Sequence, residues 1–145
     1  MSPKLTGLLS ISRAEVWLSL QSSLLLPVVA ASLRLAGFQR TYLWLDQPLA
    51  GEEPNDIAPI SRSVNRAAYH LPGFNPACLP RSLVLWHLLR RRGTPAQLCI
   101  GVAKERDQLM AHAWVESNGQ VVNDRPDVAQ RYAPIDFLYS SPEDA

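Results

Sequence analysis

The feature that most restricts the fold of this chain is a change of hydrophobic period at Gly93-Thr94-Pro95. Upstream, apolar residues recur at helical spacing: Ile57, Ile60, Val64, Ala67, Ala68 and Leu71, then Leu79, Leu83, Trp86 and Leu89. Downstream, Leu98, Ile100 and Val102 alternate with Gln97, Cys99 and Gly101, the period of a strand. A chain that is helical first and strand-forming afterwards predicts an α+β fold, with N-terminal helices followed by a small antiparallel sheet. Its 145 residues suffice for one domain with a real core.

Local signals place the elements. The first helix is expected to start near Arg13, kink around Pro27 and stop at Gly37. Ser12-Arg13-Ala14-Glu15 reads as its capping box, in which Ser and Glu side chains satisfy orphan N–H groups. Thr41 to Leu45 forms a short aromatic and apolar element, and residues 47–56 are loop by composition. The helix that begins at Ile57 ends at Leu71-Pro72-Gly73, and the turn Phe74-Asn75-Pro76-Ala77 delivers Cys78. The next helix spans Cys78 to about Arg92. Pro80 fixes its frame, because proline is tolerated only in a first turn, where its missing N–H costs nothing. Arg90-Arg91-Arg92 before Gly93 complements the carbonyl end of that helix rather than forming a nucleic-acid patch. Strands follow at Leu109–Glu116 and Gln120–Asp124. The expected organisation is a helical region at 1–55, a core at 56–139 and a flexible tail at 140–145, all in one compact domain.

The 18 residues between Glu15 and Arg34 carry no charge, near the lower limit for a membrane span. With Lys4 and Arg13 ahead and Ala30-Ala31 behind, they also fit a signal peptide. Against both, Ser19, Gln21, Ser22 and Ser23 interrupt the run and Pro27 breaks it. Glu15, Ser19, Ser22 and Ser23 fall on one helical face, which predicts an amphipathic helix half-covered by protein. A cytoplasmic location is expected, with peripheral membrane association through this helix as the alternative. Formal net charge is +1, so no global field recruits nucleic acid. The two cysteines, Cys78 and Cys99, have no metal-finger spacing, and neither a metal nor another cofactor is expected. A disulfide between them would consume the candidate nucleophile, and nothing else points to an oxidising compartment.

The chemistry lies in Cys78-Leu79-Pro80-Arg81-Ser82-Leu83 and Ala111-His112-Ala113-Trp114-Val115-Glu116. A helix N-terminus carries partial positive charge and unpaired N–H groups, so it favours thiolate over thiol. Those N–H groups can also hold an oxyanion, the Cys78 backbone N–H being the first donor. His112 sits in a strand between small neighbours that leave room for the imidazole. Met110, His112, Trp114 and Glu116 share one face, and Ala111, Ala113 and Val115 the other. Asp124 depends on the turn. A two-residue Asn118-Gly119 loop would pair it with Ala113 and send His112 to the opposite face. A three-residue Ser117-Asn118-Gly119 loop would pair Glu116 with Gln120 and set Asp124 opposite His112, with Cβ atoms about 4.5–5.5 Å apart. The three-residue loop is the expectation, with Asn123 and Asp127 as spare orienters. Trp114 is expected as a wall of the substrate pocket, Cys99 as structural, and His70 and His87 as surface or packing groups.

The order helix-start Cys, strand His, strand Asp resembles the transglutaminase-like superfamily, a circularly rearranged relative of papain-type architecture. From about Asn75 to Asp124 the chain is similar to the lasso peptide leader peptidases. Those proteins carry a Cys-Leu-x-Arg-Ser-Leu helix, an Arg-Arg-Gly helix end, an Ile-Gly-Val strand and an Ala-His-Ala-Trp-Val-Glu strand. The resemblance implies Cys78 as nucleophile, His112 as base and Asp124 as orienting acid. It implies removal of the leader from a ribosomally made precursor, which frees the core for an ATP-dependent cyclase. A threonine at the penultimate leader position is a feature of the family's substrates. The 77 residues before Cys78 read as helices rather than a winged-helix recognition module. This predicts a standalone peptidase served by a separate leader-recognition protein. Two alternatives stand beside it: another thiol acyltransferase or deamidase of the superfamily, and a non-catalytic peptide-binding adaptor.

Overall fold

The computed structural model describes residues 13–46, 51, 56–70 and 78–135, with the His70 side chain excepted. The expected capping serine, the turn at 74–77 and the tail at 140–145 lie outside these residues.

Among the described residues four helices precede the sheet: α1 (Arg13–Leu35), α2 (Phe38–Leu45), α3 (Ala58–His70) and α4 (Cys78–Arg91). Then come β1 (Gln97–Glu105), β2 (Gln108–Ser117), β3 (Gln120–Val121), α5 (Val128–Arg131) and β4 (Ala133–Pro134). The sheet order is β3-β2-β1-β4 and its pairings are antiparallel. The α+β architecture is the one the change of period predicts.

The helices cover one face of the sheet. Leu83, Val84, Leu85, Leu88 and Leu89 of α4 meet Leu26 and Val29 of α1, Val64 of α3, and Leu98 and Val115 of the sheet. Helix α4 ends where Gly93 takes a positive φ of 79°. There Thr94 N–H donates to the Leu89 carbonyl at 3.0 Å and Gly93 N–H to that of Arg90 at 3.1 Å, a Schellman cap. Two of the three arginines in the run make side-chain contacts within the domain. The Arg90 guanidinium lies over the Trp86 ring and pairs with Asp46, and Arg92 donates to Gln21 Oε1.

Helix α1 is long and apolar enough to cross a membrane, yet part of it is covered by this domain. Its polar face lies only partly where the sequence reading puts it: Ser23 is exposed, but Glu15 and Ser19 are half-buried. Ser22 is 0% exposed and faces the core, while Val16, Trp17, Leu20, Leu24 and Val28 face outward, Leu24 at 70%. A serine can be buried here because its hydroxyl donates to the Leu18 carbonyl at 2.8 Å, so no polar group is left unsatisfied.

The β2–β3 hairpin also departs from expectation. Ser117 pairs with Gln120 and Glu116 with Val121, so the loop is two residues, Asn118-Gly119. Both have positive φ, 52° and 77°, the type I′ geometry that suits strand twist. The three-residue loop is therefore wrong.

Candidate active site

Cys78 is the first residue of α4, as Pro80 requires. Its Sγ accepts a hydrogen bond from the Ala113 backbone N–H at 3.3 Å, beside His112 in β2. His112 Nε2 is in turn hydrogen-bonded to Asp124 Oδ2. The structure thus brings all three expected residues into one region, at the boundary between the helix N-terminus and the sheet. Cys78 and Cys99 form no disulfide, and Cys99 is buried with Trp114 and Val128.

Asp124 reaches His112 despite the two-residue turn because the strand pairing stops. In an unbroken ladder the Val115 N–H would bond the Val122 carbonyl. Instead that carbonyl accepts from Ser61 Oγ of α3 at 2.9 Å. The Val115 N–H goes to Asn123 Oδ1 at 2.9 Å. The chain bends over 122–124 and swings the Asp124 carboxylate to the histidine. Asn123 is therefore no substitute orienter. Its Nδ2 donates to Ser82 Oγ, and Ser82 donates to the Ala113 carbonyl, each at 3.1 Å. This buried chain ties α4 to β2 one turn after Cys78. Asp127 precedes α5 and lies 3.6 Å from Arg125 Nε.

Burial alone would raise the Asp124 carboxyl, but other effects win. Hydrogen bonds from His112 and the Arg125 N–H, with the charges of His112 and Arg81, hold it below the usual carboxylate value. Asp124 is thus an anion at neutral pH and orients the His112 ring through Nε2. Nδ1 is then the nitrogen left to act toward the thiol.

Aromatic packing fixes the histidine from the other side. The Tyr132 ring stacks on His112 at 5.0 Å and 28°. Trp114, expected as a pocket wall, is 2% exposed. It lies behind His112 and donates through Nε1 to Glu116. Gly101, opposite His112 in β1, makes room for the Tyr132 and Trp114 side chains. A Cβ there would lie 2.8 Å from Tyr132 Cβ and 3.0 Å from Trp114 Cη2. Sequence reasoning missed Tyr132, Arg81, and the roles of Ser82 and Asn123. A signal for Ser82 was present, a hydroxyl one helical turn after the cysteine on the same face.

His87 is a packing group. Its Nδ1–H donates to the Leu45 carbonyl at 2.9 Å. Among the described residues no cluster of His, Cys, Asp or Glu has metal-site geometry.

A helix-start thiol next to a carboxylate-bound strand histidine is an arrangement with the parts that thiol acyl transfer requires. The profile of the transglutaminase-like superfamily matches residues 23–136, most of the chain, and the chain belongs to that superfamily. Among curated proteins it is similar to the microcin J25-processing protein McjB of Escherichia coli, 37% identical over 67 residues. The match covers 46% of this chain and 31% of that protein, so the chain spans under a third of its relative. No solved structure matches.

Proposed function

We propose that this chain is a cysteine peptidase that removes the leader from a ribosomally made lasso peptide precursor. The observation that carries the reading is the bond from the Ala113 N–H to Cys78 Sγ, next to the His112–Asp124 pair. The superfamily match supports acyl transfer, and the likeness to a microcin-processing protein supports a peptide substrate.

In this mechanism His112 Nδ1 takes the thiol proton, and the thiolate attacks the carbonyl at the leader–core junction. The Cys78 backbone N–H donates to the developing oxyanion. Collapse breaks the C–N bond as the imidazolium protonates the leaving amine, which is the new N-terminus of the core. Water, deprotonated by His112, then hydrolyses the thioester and releases the leader acid. Asp124 stays ionised and holds the ring. The partners are the precursor, a separate leader-recognition protein, and the ATP-dependent cyclase that takes the freed amine. The reaction belongs in the cytoplasm, and the outward apolar face of α1 supports peripheral association with a membrane.

The test is mass spectrometry of a precursor incubated with the purified chain and its recognition protein. The expected result is one backbone cut at the junction, lost in Cys78→Ala and His112→Ala. A mass shift of one amide without a cut would make the chain a deamidase. Trimming by Cys78→Ala equal to wild type would sink the mechanism and favour an adaptor.

A further inference from the structure

Strand β2 is paired with β1 along nearly its whole length, but with β3 only at Glu116 and Ser117. Along the β3 side, backbone groups of alternate residues point outward. Those of Val115 go to Val122 and Asn123, and those of Ala113 to Cys78 Sγ and Ser82. Next in the column are Ala111 and Leu109, for which the described residues supply no strand. Leu109 is 77% exposed, Met110 45%, and Ala111 is exposed as well. This open edge is therefore continuous with the position of the candidate nucleophile. Successive outward positions lie about 7 Å apart, the span of one dipeptide.

We infer that the outward edge of β2 at Leu109 and Ala111 is the substrate site, binding the precursor's junction segment as an added strand. The inference rests on the peptidase reading. The occupant is an extended peptide, because a substrate must bring a backbone carbonyl to Cys78 Sγ. A segment hydrogen-bonded to the Ala111 N–H and carbonyl has its next peptide unit beside that sulfur. Recognition is through the main chain, which accepts different side chains near the cut. Leu109 and Met110 offer apolar contact on opposite sides of the strand.

Ala111→Pro tests this without touching the triad. It deletes an N–H that β1 does not use, and proline is tolerated on strand edges. With a synthetic junction peptide as substrate, kcat/KM should fall about tenfold through KM, the upper range for one lost hydrogen bond. Alkylation of Cys78 by iodoacetamide should keep its wild-type rate. A second measurement keeps wild-type β2. Junction peptides N-methylated at one backbone position at a time should lose cleavage at alternate positions. In the Cys78→Ala chain, unmethylated peptide should slow hydrogen exchange at the Ala111 and Leu109 amides. Cysteine-dependent cleavage with none of these effects overturns the edge site and leaves the peptidase reading standing. Absence of any Cys78-dependent cleavage overturns both. Wild-type dimers that Ala111→Pro converts to monomers would assign the edge to a second copy and overturn the proposal.

Discussion

Helices α1 and α4 are both rich in leucine and both contain proline, yet the fold buries them very differently. In α4, Pro80 lies in the first turn and everything from Ser82 to Leu89 is buried. In α1, Pro27 lies inside the helix, and of its 23 residues only Leu18, Ser22, Leu26, Val29 and Ala30 are buried. The first helix is held by one face and presents leucines outward. The second is held all round and presents one end, where Cys78 stands. Apolar content alone therefore does not locate the core. The difference comes from neighbours: α4 lies between the other helices and the sheet, whereas α1 covers α3 and α4 from outside.

The sharpest way to break this contrast is at the N-terminal end of α4. Cys78→Ala should lower precursor cleavage by about a thousandfold or more while leaving the melting temperature nearly unchanged. Unfolding of that variant would make the residue a packing group. Next is Asp124→Asn, which keeps the shape but lets His112 take the wrong tautomer. Cleavage should fall by about a hundredfold or more, with KM changing little. Within the helix body, Leu85→Ala should cost about 2–5 kcal/mol by urea denaturation, since Leu85 is 0% exposed.

Acid should expose the join between α2 and α4. Burial lowers the affinity of His87 for a proton, the Leu45 carbonyl partly offsets this, and Arg91 lowers it further. The unfolded chain therefore takes up a proton near pH 6.5 that the folded chain resists. Its contribution is steady above that pH, and stability falls as pH drops below it. His87→Asn, which keeps a donor near the Leu45 carbonyl, should flatten that slope. The smallest expected effect is on the outer face of α1. Leu24→Gln should change stability by no more than about 0.5 kcal/mol. A loss as large as that for Leu85→Ala would show that the outer face is buried in solution.

The two helices also mark how far the sequence could be read. Helix α4 was legible because local chemistry delimits it: Pro80 near one end, Gly93 just past the other. The outward face of α1 was not. A helical wheel separates Ser22 from Leu24 but does not say which side meets protein, and Ser22 satisfies its hydroxyl on its own helix. Around Asp124, the contact with His112 was anticipated and the route to it was not. The bend depends on Ser61 in α3 and Ser82 in α4, partners 61 and 41 residues away from the groups they bond. No hairpin rule contains them. Trp114 was assigned to the site but not to the buried side of the histidine, because alternation gives a face and not its cover.

The brevity of β3 has a consequence for anyone who would improve this protein. Lengthening the hairpin is an obvious route to a sturdier sheet, since each added residue pair would satisfy another stretch of β2. Here the next rung would fall on Ala113, whose N–H and carbonyl already serve Cys78 and Ser82. A completed sheet would evict the sulfur. The unfinished hairpin is the vacancy into which the helix end fits, and on the proposed peptidase mechanism a more robust variant of this kind would be an inert one.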